Sequence, residues 1–209
     1  DLVAGQLRFE GCEVDLGVPD MSVSEAAAAG VRSLVIGVAP VGGTIPDNWW
    51  PHIEDAARAG LDIVCGLHFK LTDFPAVVAA AKSSGARLID VRNPPTNLPV
   101  GTGIKRSGKR VLMVGTDCAI GKKYAALALH KAMCEAGMKA SFRATGQTGI
   151  MLAGEGIPID SVVADFIAGA AELISPANDE DHWDVIEGQG SIFHPGYSGV
   201  SLGLLHGSQ

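Results

Sequence analysis

The sequence predicts an α/β protein with two domains, each built around a parallel sheet. Two observations support this fold class. Apolar, β-branched runs of strand length alternate with stretches of helical spacing, and this alternation occurs twice along the 209 residues. Continuous apolar runs are typical of strands buried on both faces of a parallel sheet. Their alternation with helices implies right-handed strand–helix–strand units.

Three strands are predicted in the first half of the chain. The apolar runs cover 31–38, 61–66 and 86–91, and helical spacing occupies 48–60 and 71–85 between them. Each predicted helix ends on a glycine, which is common at helix C-termini because glycine accepts a left-handed backbone. The first half is therefore expected to be one complete α/β unit.

A stretch without periodicity separates the two halves. Residues 92–109 are rich in Pro, Gly and polar side chains, which favours a linker. We place the first domain at 1–107 and the second at 108–209. Strands of the second domain are predicted over 110–115, 139–144 and 183–188. Nucleotide-binding sheets commonly have five or more strands, so we expect the second domain to be truncated or completed by a partner chain, as in a homo-oligomer.

Composition excludes several classes of partner. The net charge of -7 argues against nucleic acid, because binding a polyanion usually needs a basic face. No apolar run reaches the length of a membrane span, and no signal peptide begins the chain, so we expect no membrane partner and a cytoplasmic location. The four cysteines are widely spaced and lack the spacing of zinc ligands.

The stretch VGTDCAIGKKY, residues 114–124, resembles a phosphate-binding loop between a strand and a helix. Gly121 and Lys122 match that pattern, whereas Thr116 replaces its first glycine and Lys123 replaces the hydroxyl residue that usually ligates Mg²⁺. The loop therefore favours metal-free capture of a pyrophosphate; the alternative is a tight turn with a surface lysine. The predicted cofactor-binding residues are Gly115, Thr116, Asp117, Cys118, Ala119, Ile120, Gly121, Lys122, Lys123 and Tyr124, and no metal ligand is assigned.

Three further residues are candidates for catalysis. Glu187 lies at the end of the last predicted strand, where P-loop enzymes often carry an acidic residue; its alternative is a solvated carboxylate. His194 is a candidate general base, or else a structural histidine. Arg143 could clamp a substrate carboxylate, or bond to an internal one.

The first half also offers a possible ligand crevice. Its segment GVAPVGG lacks the GxGxxG spacing and so does not by itself indicate NAD binding. Gly37, Gly42 and Gly43, together with Gly66 and His68, could nevertheless line a crevice; the alternative is ordinary turn chemistry.

Six sequence blocks resemble the D-glutamate N-acetyltransferase family: VGTDCAIGKKYAAL, RATGQTGIML, DVIEGQGSIFHPGYSGVSLGLLHGS, LVIGVAPVGG, AGLDIVCGLH and RLIDVRNPP. The resemblance covers nearly the whole chain. It implies a Rossmann-like domain followed by a P-loop NTPase-like domain. It also implies transfer of acetyl from acetyl-CoA to the amine of a D-amino acid such as D-glutamate.

The chemistry of the candidate residues is compatible with this implied reaction. Lys122 and Lys123 would hold the CoA pyrophosphate, Arg143 the substrate carboxylate, and Glu187 or His194 would accept the ammonium proton. The P-loop half is also similar, more distantly, to dethiobiotin synthetase. An ATP- and Mg²⁺-dependent enzyme and a non-catalytic nucleotide-binding protein therefore stay open as alternatives.

Overall fold

The computed structural model describes residues 3–38, 40 and 43–209. The chain forms two compact units, Asp1–Val91 and Arg92–Gln209. The division lies earlier than the expected one at 107/108, because the predicted linker packs on the second unit. Within this segment, the backbone N–H groups of Thr102 and Gly103 donate to Glu172 Oε1 at 2.8 and 2.9 Å.

The first unit is a parallel sheet in the order β1-β2-β3. Its strands are Ser33–Ile36, Asp62–Cys65 and Leu88–Asp90, and its helices are α1 (Val23–Ala28), α2 (Trp50–Arg58) and α3 (Pro75–Ser84). The three predicted strands are present but shorter. Their buried side chains, such as Ile63, pack with the small residues of α2 and α3, so that the helices approach the sheet closely.

Helix α3 begins later than its sequence pattern predicts. A 3₁₀ turn covers Leu71–Asp73, and the α-helix starts only at Pro75. The proline ring disfavours helical backbone in the preceding residue, and Phe74 is accordingly extended (φ -110°, ψ 98°). Gly85 ends the helix in the left-handed conformation, as expected.

The second unit is a parallel sheet in the order β4-β6-β5. Its strands are β4 (Lys109–Leu112), β5 (Ala140–Arg143) and β6 (Trp183–Ile186). Its helices are α4 (Lys122–Glu135), α5 (Gln147–Ala153), α6 (Ile167–Ile174) and α7 (Ser198–Gly207). The three predicted strands are present here too. Helices α5 and α7 were not predicted, because their glycines interrupt the helical pattern.

The second sheet has a helical layer on each face. Val185 packs with Ala126 and Met133 of α4 on one side. The other face carries a cluster that joins α6 and α7 through Ile167 and Leu204. Because the strands are parallel, their carboxyl ends share one edge, and the loops that follow them meet there. Within the described residues, no helix combines the length and apolarity needed to cross a bilayer.

Candidate functional site

The loop between β4 and α4 has a strained backbone. Ala119 has φ 55° and, among the described residues, is the one non-glycine residue with positive φ. Gly121 has φ 102° and immediately precedes α4. A left-handed non-glycine residue costs about 1–3 kcal/mol and is found mostly at functional sites. Left-handed residues in a turn also bring successive N–H groups into a concave arrangement that binds anions.

The N-terminus of α4 is left open. Gly121 is the N-cap and has no side chain, and in the described part of the chain no side chain caps this end. The first turn contains no acidic residue and begins with Lys122 and Lys123. The first helical hydrogen bond is donated by Ala125 to the Gly121 carbonyl, so the preceding N–H groups are available. This helix end therefore suits a phosphate group.

Lys122 folds back over the loop. Its Nζ donates to the carbonyl oxygen of Asp117 at 2.8 Å. Its methylene chain passes two glycines so closely that a Cβ at Gly115 or Gly188 would lie 3.2 Å from Lys122 Cδ. A Cβ at Gly188 would also collide with the carbonyl of Met113. Glycine at these positions gives the lysine its path into the loop.

The neighbouring residues point elsewhere. Lys123 Nζ lies 4.5 Å from the centroid of the Tyr124 ring, and that ring is exposed. The two lysines therefore make different contacts in the resting loop, and their joint role in binding a diphosphate stays a prediction. Asp117 Oδ1 accepts the N–H of Cys118 at 2.7 Å, which shapes the loop from within. In the part of the chain that the structure describes, no group of three His, Cys, Asp or Glu side chains could hold a metal ion.

Glu187 lies at the end of β6 and is buried, with 2% of its surface exposed. Its Oε2 accepts the N–H groups of Thr145 and Gly146 at 2.9 and 3.0 Å. The Thr145 hydroxyl donates to the Glu187 carbonyl at 2.7 Å. A Cβ at Gly149 would collide with the carboxylate. Glu187 is therefore bonded to the two residues that precede α5. Sequence reasoning placed a solvated carboxylate or a catalytic one there.

Burial raises the pKa of the Glu187 carboxyl. The N–H groups of Thr145 and Gly146 oppose this effect, as does the positive charge of Lys123, but the net direction is upward. Oε1 accepts no hydrogen bond from the described residues. A buried carboxyl with a raised pKa and one uncommitted oxygen is suited to proton transfer closer to neutral pH.

His194 lies in the exposed loop after β6. Its Nδ1 accepts the N–H of Gly196 at 3.1 Å, and its ring stacks on Tyr197 with centroids 4.5 Å apart. Its backbone N–H donates to the Ser191 hydroxyl at 3.0 Å. The ring is thus held by Gly196 and by Tyr197.

Ser191 joins this loop to the phosphate-binding loop. Its hydroxyl donates to the Thr116 carbonyl at 2.9 Å, and the side chain is fully buried. Beside it, the N–H of Ile192 donates to the Gly115 carbonyl at 2.9 Å. Sequence reasoning missed Ser191. The available signal was a small hydroxyl residue directly after the two glycines of EGQGS.

Arg143 is bonded to an internal carboxylate. Its Nε donates to Asp184 Oδ1 at 2.8 Å, and Asp184 Oδ2 accepts the Ser175 hydroxyl at 2.6 Å. Arg143 pairs in register with Ile186, two residues beyond Asp184, so its side chain extends toward the amino ends of the strands. This is the alternative considered from the sequence. A substrate clamp at Arg143 stays a prediction and would require this ion pair to rearrange.

Part of the predicted crevice in the first unit comes together. Gly43 has φ 73°, and a Cβ there would lie 3.1 Å from His68 Cδ2. Gly37 and Gly66 follow the ends of β1 and β2, whereas Gly42 lies outside the described residues. Asp90, at the end of β3, accepts the N–H of Leu71 at 3.0 Å. A ligand-binding role for this edge stays a prediction.

Comparisons with known proteins agree with this architecture. Residues 99–209 match the P-loop domain of DUF1611, a family of unknown function, and residues 7–94 match its Rossmann-like N-terminal domain. A crystal structure of a DUF1611 family protein from Anabaena variabilis is 43% identical, with a TM-score of 0.83 over 91% of this chain and 56% of that one. The predicted fold class is confirmed.

Two curated relatives carry the name D-glutamate N-acetyltransferase, one from Tritonibacter scottomollicae and one from a Pseudoalteromonas species. Each is 50% identical over all 209 residues, and the chain spans 63% of the length of each relative. These matches confirm the resemblance inferred from the six blocks. The chain, with its Rossmann-like and P-loop units, belongs to the DUF1611 family.

Proposed function

We propose that the protein transfers an acetyl group from acetyl-CoA to the amine of a D-amino acid such as D-glutamate, with the loop before α4 holding the diphosphate of CoA. The observation that carries the proposal is the open, uncapped N-terminus of α4, which begins with two lysines. The names of the two half-identical relatives support the reaction type.

The loop has the donors that a diphosphate requires. Backbone N–H groups at the start of α4 would bind phosphate oxygens, and Lys122 would exchange its bond to the Asp117 carbonyl for a bond to phosphate. Lys123, near enough to lower the pKa of Glu187, adds positive charge where many P-loops have a hydroxyl and Mg²⁺. When bound, acetyl-CoA supplies the acetyl group as a thioester.

Glu187 is the candidate for the proton acceptor. The substrate amine must lose a proton before or during its attack, and an uncommitted carboxylate oxygen with a raised pKa can accept it. Arg143 would reach a substrate carboxylate only after leaving Asp184, so we rank it below Glu187. Binding the amino acid then depends on donors other than Arg143 in the resting arrangement.

Titration calorimetry and an acetylation assay test this function together. We expect CoA to bind equally well in Mg²⁺ and in EDTA, and thiol release from acetyl-CoA to depend on D-glutamate, with L-glutamate as the matched control. Tight binding of Mg-ATP combined with no binding of CoA would contradict the proposal.

A second candidate function is that of an ATP-dependent enzyme, with ATP bound in the same loop. It is favoured by the position of Glu187, which ends the strand beside β4 as an acidic residue does in many P-loop enzymes. The variant Lys123→Thr restores the usual hydroxyl. If the loop evolved for metal-free binding, the variant should gain Mg²⁺-dependent affinity for ADP that the wild type lacks. Mg²⁺-dependent ADP binding in the wild type would favour the second candidate.

We also propose a cytoplasmic homo-oligomer. Cys12, Cys118 and Cys134 are free thiols, and thiols persist in reducing compartments, which supports the location. Sedimentation of the purified protein would test its assembly.

A further inference from the structure

The bond to Gly196 determines what the His194 ring can do. A neutral imidazole has one N–H and one acceptor nitrogen. Because Nδ1 accepts the Gly196 N–H at 3.1 Å, the hydrogen of the neutral ring lies on Nε2. The acceptor nitrogen is thus already engaged, and the other nitrogen can only donate. This arrangement disfavours His194 as a general base.

The surrounding contacts hold this donor beside the phosphate-binding loop. Stacking on Tyr197 fixes the plane of the ring at 29° to the tyrosine. The Ser191 hydroxyl accepts the His194 N–H and donates to the Thr116 carbonyl. A single buried hydroxyl therefore connects the backbone that carries the imidazole to the backbone that would carry the diphosphate.

We propose that His194 is a hydrogen-bond donor to the acetyl carbonyl oxygen through Nε2–H, and that Ser191 is the positioning residue that holds it there. The inference rests on the proposed acetyl transfer. When the amine nitrogen bonds to the carbonyl carbon, the π electrons of the carbonyl move to the oxygen, which becomes negatively charged. The carbonyl then re-forms, the carbon–sulfur bond breaks, and CoA leaves as a thiolate that takes up a proton from solvent. His194 stabilises this charge, and the proton of the amine goes to Glu187. The two residues thus have separate roles.

Two substitutions separate a donor from a base. In His194→Gln the side-chain amide places an N–H close to the former Nε2 position but cannot titrate. We expect His194→Ala to lower kcat by about 10²–10³-fold, as for loss of one oxyanion donor, and His194→Gln to retain most of the activity with an unchanged pH profile. The control is His206→Ala, an exposed histidine in the last turn of α7, which should leave kcat unchanged.

A double-mutant cycle tests the role of Ser191. Ser191→Ala should lower kcat in the wild-type background and have little further effect in the His194→Ala background, because it acts through His194. Additive losses would show instead that Ser191 acts independently of His194 and would overturn its positioning role. Long-range ¹H–¹⁵N spectra of the imidazole, assigned by their loss in His194→Gln, should show the Nε2–H tautomer.

The results that overturn the proposal are distinct from those that overturn the function. A His194→Gln variant that loses most of its activity or has an altered pH profile, an active His194→Ala variant, or an Nδ1–H tautomer would each refute the donor role while acetyl transfer by the wild type stands. A wild type that binds CoA but transfers no acetyl group would refute the proposed function, and the donor role with it.

Discussion

Two helix N-termini in the second unit are treated in opposite ways. Helix α4 begins after Gly121 with no capping side chain and with lysines in its first turn. Helix α5 begins at Gln147, and the buried Glu187 carboxylate accepts the N–H groups of the two residues before it. The Glu187 carboxyl thus lies beside the start of α5, whereas the first turn of α4 carries two lysines and suits an external anion. The two helix starts differ in the charge placed next to them.

A second pair of groups shows how burial sets the charge of a carboxylate. Glu172 and Glu187 each accept two backbone N–H groups. Burial acts to raise both pKa values, but in Glu172 the bonds from Thr102 and Gly103 outweigh it and the pKa is lowered. In the more deeply buried Glu187 burial prevails and the pKa is raised. Glu172 is therefore a structural anion, and Glu187 is a group that can exchange a proton.

The largest expected effect is on the acetylation rate, which should depend on Glu187 and not on Glu172. Glu187→Gln keeps an oxygen that accepts the Thr145 and Gly146 N–H groups but removes the proton acceptor. We expect the acetylation rate to fall by about 10²–10⁴-fold while the melting temperature changes little. Glu172→Gln, the matched control, should leave the rate unchanged. An unaffected rate in Glu187→Gln would make Glu187 purely structural.

The next effect concerns the open end of α4. Lys122→Ala removes the ammonium that would bind phosphate, and we expect a loss of about 1.5–3 kcal/mol in CoA binding, or roughly 10–100-fold in affinity. Calorimetry measures it, with Lys131→Ala on the exposed side of the same helix as control. Equal affinity in the two variants would mean that the diphosphate does not lie in this loop.

A smaller effect concerns the closed end of α5. Gly149→Ala places a methyl group against the Glu187 carboxylate, and we expect a loss of about 1–3 kcal/mol in the free energy of unfolding. Gly199→Ala in α7 is the control, because a Cβ there meets nothing within 4 Å and alanine favours a helix. Urea denaturation measures the free energy of unfolding of the two variants. Equal stability would show that Glu187 does not fill this helix end.

The smallest effect is a pH dependence of stability. Because the folded-state pKa of Glu187 is raised above the ordinary 4.5, the folded protein retains a proton that the unfolded chain has lost. Stability should therefore fall slightly as pH rises from about 4.5 toward the folded-state value, and Glu187→Gln should lack this fall. Glu172 has the opposite sign, since its contribution is lost as pH decreases below 4.5. Urea titrations at several pH values would test both.

Local patterns predicted the fold well where the pattern itself reflects burial. The apolar runs predicted each of the six strands found among the described residues, and the loop around Gly121 and Lys122 was located from its residue types. Helices α5 and α7 were not predicted, because glycines interrupt their helical periodicity. Gly149 in α5 and Gly207 in α7 lie where a larger residue would not fit. A Cβ would collide with Glu187 at the first position and with Ala168 at the second. Such contacts join residues distant in sequence and leave no local signal.

The sequence by itself determined the two α/β units, the family, and a P-loop domain whose loop lacks the usual hydroxyl residue. Only the tertiary structure decided how the polar side chains are paired: Arg143 with Asp184, Glu187 with α5, and Ser191 with the Thr116 carbonyl. The physical reason is the separation along the chain between the residues that interact. Strand and helix patterns follow from neighbours along the chain, whereas the pairing and pKa of a buried polar group depend on partners that reach it only when the chain folds.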